Sequence, residues 1–171
     1  MKFRDLTEND IEVRVQSVKE KGLVLLLYKN ARVDMNILDE TVGPANWQRE
    51  HYECKGNLFC RVGINVDYEY PGDTPEWVYK SDCGTESNTE AQKGEASDSF
   101  KRACFNWGIG RELYTSPFIW IPAEQCNIKN GKCYDQFSVE KIIIKDKHIK
   151  ALAIRNETKK ARVFVWQATE K

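Results

Sequence analysis

Residues 95–114 read EASDSFKRACFNWGIGRELY, and their periodicity sets the frame for the whole chain. At 100° per residue, Ala96, Phe100, Ala103, Cys104 and Trp107 fall at i, i+4, i+7, i+8 and i+11, a single apolar stripe. Lys101 and Arg102 lie off that stripe, so a helix that buries it presents two adjacent cations outward. Gly108 and Gly110 mark its end, because glycine readily enters the left-handed conformation that terminates helices. The spacing predicts a helix from near Thr89 to Trp107, a rod carrying fixed positive charge that calls for an anion.

Strands dominate on either side of this helix. Upstream, Thr7 with Asp10 has the form of a capping signal, and Ile11, Val15 and Val18 at i, i+4 and i+7 predict a short amphipathic helix to about Lys19. LVLLLYK (23–29) reads as a buried strand. Val33, Ile37, Leu38 and Val42 in ARVDMNILDETVG (31–43) predict a second helix ended by Gly43-Pro44. A meander follows: QREHYECK, a turn at Lys55-Gly56-Asn57, LFCRVGINVDYEY, a turn at Pro71-Gly72-Asp73, and EWVYKSDCGTES. Beyond the long helix come a short strand in TSPFIWIP, the hairpin signal Asn130-Gly131, and three strands in DQFSVEKIIIKD, HIKALAIRNE and KARVFVWQA. The class is α+β: an antiparallel sheet of hairpin and meander strands packed on one long helix, with short flanking helices. The expected organisation is a core domain over 1–125 and a C-terminal β-hairpin extension of it over 126–171.

A chain of 171 residues has room for one domain with a sizeable core. No apolar run approaches the roughly 20 residues of a membrane helix, and the acidic turn in MKFRDLTEND has no signal-peptide core, so the expectation is a cytoplasmic protein. The six cysteines (54, 60, 83, 104, 126, 133) form no CxxC pair, and His51 and His148 do not cluster with them, so reduced thiols are expected and no metal site. Charge is balanced at 26 basic and 26 acidic residues but unevenly distributed. Residues 64–99 carry net −7 and residues 100–171 net +7, so a polyanion-binding surface is compatible with a neutral total.

Catalytic signatures are sparse. The chain contains no GxxxxGK[ST] and no GxGxxG after a strand, so an ATP-driven recombinase or helicase would lack its phosphate loop. Neither GxSxG nor HExxH is present. Asp82, Glu90 and Lys93 imitate the carboxylate and Glu-x-Lys set of metal-dependent nucleases, but Glu90-x-x-Lys93 has the wrong spacing. Lys93, Lys101 and Arg102 suit phosphate contacts that are salt-sensitive and indifferent to base identity. A solvated helix face with an i, i+4 pair between Asp98 and Arg102 accounts for the same cations. Tyr68, Tyr70, Trp77 and Tyr79 alternate along strands, which serves base stacking or packing equally well.

The blocks ARVDMNILDETVGPANWQ (31–48) and EWVYKSDCGTESNTEAQKGEASDSFKRACFNWGIGRELY (76–114) carry a resemblance. In order and spacing they resemble the Rad fifty-two / Rad twenty-two family of single-strand annealing proteins, nearest its phage and bacterial, Sak-type branch. The likeness runs from about Leu6 to Ile121, anchored on Arg32…LDE…Gly43…Trp47 and on Asp98-x-x-Lys101-Arg102-Ala103. It implies a protein that assembles into a closed ring, holds single-stranded DNA by its phosphates in a positive groove, and anneals complementary strands without ATP. By position it implies DNA-binding roles for Lys101 and Arg102, for Arg32 at the start of the LDE helix, and for Lys93. Where eukaryotic members carry a further basic residue one turn later this chain has Phe105-Asn106, a loss that Arg111 is placed to supplement.

The resemblance also implies a bacterial or phage-infected cell, with action at the nucleoid and a single-strand-binding protein or recombinase as further partner. The long C-terminal tail through which larger members make that contact has no counterpart here. No cofactor and no enzymatic activity are expected. Two other readings stay open at this stage: single-strand binding or mediation without annealing, and a nuclease using Asp82 and Glu90. The basic segment after residue 136 fits an edge hairpin between subunits, a second DNA-contact surface or a solvated face.

Overall fold

The computed structural model describes residues 1–69, 74–85 and 91–169, the side chains of 91–93 excepted. The predicted turn at Pro71-Gly72-Asp73, Tyr70, and the predicted helix start with Glu90 lie outside the described residues. The fold is α+β, with antiparallel strand pairing throughout the described sheets. The chain divides into two compact units, one formed by Met1–Arg4 and Ala31–Gly110, the other by Asp5–Asn30 and Arg111–Lys171.

The first unit holds α1 (Ala31–Val42), β3 (Trp47–Cys54), β4 (Asn57–Asn65), β5 (Trp77–Cys83) and α2 (Ala91–Trp107). Helix α1 forms as its spacing predicts: Val33, Ile37, Leu38 and Val42 are all buried, and Gly43 leaves the helix at φ +83°. The three strands make an antiparallel meander in the order β3-β4-β5. Its alternation is clean. On one face Trp47, Arg49 and His51 of β3 pair across to Ile64, Val62 and Cys60 of β4, which pair in turn to Val78, Lys80 and Asp82 of β5. Cys60, Val62 and Ile64 are fully buried, so this is the face that receives α2.

The second unit is a six-stranded antiparallel sheet in the order β11-β10-β9-β1-β2-β6. Its strands are β1 (Glu12–Lys19), β2 (Gly22–Tyr28), β6 (Ile119–Pro122), β9 (Phe137–Lys145), β10 (His148–Asn156) and β11 (Ala161–Gln167). Between them, β7 (Ile128–Lys129) and β8 (Lys132–Cys133) flank the Asn130-Gly131 turn, whose φ values of +51° and +70° are those of the hairpin turn the sequence signals. Asp135 fastens this ribbon to β10. Its carboxylate accepts from the Asn127 backbone and side chain and from Asn156 Nδ2, each at 2.8 Å.

One expected element is corrected. The segment predicted as an amphipathic helix to Lys19 forms only a single 3₁₀ turn at Glu8–Asp10 and then β1. The capping residues are used: Thr7 N and Oγ1 donate to Asp10 Oδ2 at 2.8 and 2.9 Å. The hydrophobic spacing misleads for a physical reason. Val13, Val15 and Val18 pair with Leu27, Leu25 and Leu23, and a register shift between Val15 and Ser17 inserts an extra residue. A bulge thereby turns a strand's i, i+2, i+5 pattern into something that resembles a helix's i, i+3 step. The β-branched valines favour the strand.

All six cysteines are free thiols, as the lack of paired spacing suggests. Burial pushes Cys60 up to about 11, with Arg49 nearby pulling the other way. Burial likewise raises Cys126 to about 11, with Cys133 and Asp135 adding to the rise. At pH 8 such a thiol is ionised only about one part in a thousand, and the thiolate is the reactive form. An alkylating reagent at pH 8 should therefore label exposed Cys54 rapidly and leave Cys60 and Cys126 untouched until denaturant is added. Mass spectrometry of the labelled peptides checks this, and equal rates at Cys54 and Cys60 would contradict the packing of β4.

Candidate nucleic-acid interface

Helix α2 is fixed to its sheet from both sides. Phe100, Ala103 and Cys104 of the predicted stripe are fully buried, as is Ser99 beside them. Phe100 stacks on Trp47 at 6.1 Å between ring centroids, and Trp107 Nε1 donates to the Val62 carbonyl at 3.0 Å. Burying a phenylalanine side chain is worth about 1.5–3 kcal/mol, and a net hydrogen bond about 1 kcal/mol. Ala96 and Trp107 are only half-buried, so the stripe covers the middle of the helix most completely.

Polar contacts then run along its length. His51 Nε2 bonds the Ala96 carbonyl at 3.0 Å, and Leu58 N donates to Glu95 Oε1 at 3.2 Å. Thr85 N donates to Asp98 Oδ2 at 3.1 Å, Asn106 Nδ2 to the Ser81 carbonyl at 2.9 Å, and Lys80 Nζ to the Asn106 carbonyl at 2.9 Å. The last of these puts a cation on the carbonyl end of the helix, where its dipole favours positive charge. Between these contacts Gly84 brings β5's exit against the helix backbone: a Cβ there would lie 2.2 Å from the Glu95 carbonyl oxygen. Only glycine fits.

Held in this way, Lys101 and Arg102 occupy the half-exposed part of α2. Arg102 Nε lies 3.4 Å from Asp82 Oδ1, while the same oxygen accepts from Cys83 N at 2.8 Å. The i, i+4 reading of Arg102 with Asp98 missed this contact: Asp98 is engaged by Thr85, and the carboxylate against Arg102 comes from β5. The Asp82 contact is partly exposed, in the range where ion pairs contribute about 0.2–1 kcal/mol, so it orients the guanidinium more than it stabilises the fold.

The remaining predicted residues are placed as follows. Arg32 is exposed on the first turn of α1, in the same unit and on the helix that contacts α2. Lys93 lies in the first turn of α2, and its side chain is outside the described residues. Arg111 is exposed and opens a 3₁₀ turn, Arg111–Thr115, that belongs to the second unit. Glu90, the partner that a nuclease reading needs for Asp82, is outside the described residues. Among the described residues no three His, Cys, Asp or Glu side chains gather as metal ligands would.

Two cations escaped the sequence reading. Arg49 and Lys80 sit on one rung of the sheet with Val62 between them. Arg49 caps the Phe100 ring at 4.8 Å, and Lys80 the Trp107 ring at 4.6 Å. Each pairs an aromatic ring of α2 with a cation at the margin of the helix. Strand alternation is the signal that finds them, since it sends Arg49 and Lys80 to the α2 face and Gln48, Glu50, Tyr79 and Ser81 to the other. On that other face, Trp77 stacks on Tyr79 at 6.4 Å and Gln48 Nε2 donates to the Tyr79 hydroxyl at 2.7 Å. Packing within the sheet therefore uses both rings that alternation along β5 had left open to base stacking.

A family profile matches this architecture. The Rad52/22 family double-strand break repair protein profile matches residues 3–132, about three quarters of the chain, and the chain belongs to that family. Its members act in DNA recombination and repair through single-strand annealing. Comparison with curated proteins and with solved structures finds no match.

If the Gly84 approach fixes α2, Gly84→Ala should cost roughly 1–3 kcal/mol, the usual penalty for forcing a methyl into packed structure. The expected readout is a lower thermal midpoint together with faster hydrogen exchange at Glu95–Ser99. An unchanged midpoint would mean that β5 and α2 are not in close contact.

Proposed function

We propose that this protein binds the phosphate backbone of single-stranded DNA along α2 and anneals complementary strands without ATP. The observation that supports this most is the fixed setting of Lys101 and Arg102, within the segment that matches the repair family. Phosphate recognition needs cations at constant positions and no base-edge code. A helix sewn to three strands supplies such positions at little ordering cost on binding, because its entropy was lost on folding. Arg32 and Lys93 extend the same surface in this reading, and Arg111 supplements it; Arg49 and Lys80 join it at the margins of α2.

Annealing in this reading is not enzymatic. The free energy comes from base pairing, and the protein supplies local concentration and an extended strand whose bases stay open to a partner. Self-association into a closed ring, membership of the phage and bacterial branch, a cytoplasmic site of action at the nucleoid, and a single-strand-binding or recombinase partner belong to the same proposal. The chain's even charge balance suits it: binding depends on a local patch and not on overall charge.

Two complementary labelled oligonucleotides mixed with the protein in EDTA, with and without ATP, test the proposal. Accelerated pairing in EDTA, unchanged by ATP, is expected. Binding without acceleration would reduce the protein to a single-strand-binding factor, and metal-dependent loss of strands would replace the proposal with nuclease chemistry. Lys101→Ala/Arg102→Ala should weaken binding about equally for all sequences and flatten its salt dependence by roughly 0.7 per lost contact. Unchanged affinity at low salt would remove α2 from the site.

A further inference from the structure

The three C-terminal strands lie beyond the family match, and their outer face carries a second concentration of positive charge. Neighbouring positions on that face follow from the register: Lys141 pairs with Ala153 and Ala153 with Val165, while Ile143 pairs with Ala151 and Ala151 with Gln167. The two alanines leave a shallow trough floored by backbone and methyl groups, walled by Ile143 and Val165, which are 47% and 68% exposed. A second hollow lined by Ile143, Lys145 and Lys150 continues it, sharing Ile143 and Gln167 with the first. Lys150 reaches this face because the pairing shifts between Ile149 and Ala151.

Charge on this face is one-sided. Lys141, Lys145 and Lys150 are exposed, and among the described residues none of the three has a side-chain ion-pair or hydrogen-bond partner. Arg162, also on the rim, is bonded to Glu140 at 2.5 Å, which holds the Glu140 carboxyl below its usual range. Among the described residues, Asp146 at the β9–β10 turn is the one acidic residue lining either hollow. Lys141 and Lys145 stand four residues apart on β9, about 13 Å, which is the rise of roughly four stacked nucleotides.

We propose that this trough on β9–β11 is a second contact surface for single-stranded DNA, with Lys141, Lys145 and Lys150 on the phosphates and the Ala151–Ala153 floor with its Ile143 and Val165 walls against base faces. Charge complementarity selects this occupant. Lysine is depleted at protein–protein interface cores, and three lysines without carboxylate partners suit a polyanion better than a second copy of this chain. The contact is sequence-independent, since no base edge is read. It rests on the single-strand-binding reading above but uses residues of the other unit, so the two can fail separately.

The test compares three full-length proteins for binding a fluorescent oligo(dT) across a salt series: wild type, Lys141→Ala/Lys145→Ala/Lys150→Ala, and Lys101→Ala/Arg102→Ala. The triple variant should bind on the order of tenfold more weakly at 0.1 M salt and lose about two units of salt slope. Lys141→Arg/Lys145→Arg/Lys150→Arg, which keeps the charge, should bind like wild type. Oligo(dT) should also protect Lys141, Lys145 and Lys150 of the wild type from acetylation. Unchanged affinity and slope in the triple variant would overturn the proposal, as would a fall in assembly mass with binding per protomer unchanged, which would make the face an interface between copies. If the triple variant weakens binding while the α2 pair does not, the trough stands and the α2 reading falls.

Discussion

Everything proposed for the first unit depends on one contact, the seating of α2 on the β3–β4–β5 meander. Phe100, Ala103 and Cys104 supply the apolar adhesion, but adhesion alone would let a helix slide or rotate. Direction comes from the polar contacts at its edges: His51 from β3, Leu58 and Val62 from β4, Ser81 and Thr85 from and after β5. Gly84 removes the one methyl that would hold the two backbones apart. Each of these contacts is small, and together they decide which way Lys101 and Arg102 point.

The sheet's face toward α2 also fixes where its own cations sit. Arg49 and Lys80 set their charged ends over the Phe100 and Trp107 rings, and Lys80 Nζ also donates to the Asn106 carbonyl. Arg102 has a carboxylate at 3.4 Å and remains partly exposed. An anion approaching this surface would exchange water and a weak surface pair for stronger charge-assisted bonds. The cations of this surface are gathered from around the strongly acidic stretch 64–99: Arg49 precedes it, Lys101 and Arg102 follow it, and of these four only Lys80 lies inside it.

Helical residues with a full apolar face, such as Val33, Ile37 and Leu38, were legible because local periodicity and final burial agree. The same holds for the strands of the meander and for the turn at Asn130-Gly131, where left-handed φ values are required at both positions. Legibility failed at Val13–Val18, where a bulge altered the period, and at Arg102, whose charged neighbour proved to be Asp82 from another strand. Arg49 and Lys80 were missed because a cation reads as solvent-facing until the strand on which it alternates is paired.

The sequence by itself determined the α+β class, the long helix with its buried stripe and outward cations, the hairpins, and the two blocks that mark the repair family. These are local quantities, set by periodicity, glycine placement and residue order. Only the tertiary structure decided the division into two units, the pairing of β1 with β9, and the company each cation keeps. Those depend on strand register and long-range pairing between residues more than a hundred positions apart, such as Glu12 with Ser138. No short window of sequence encodes such a pairing, because its free energy arises only when both strands are already in place.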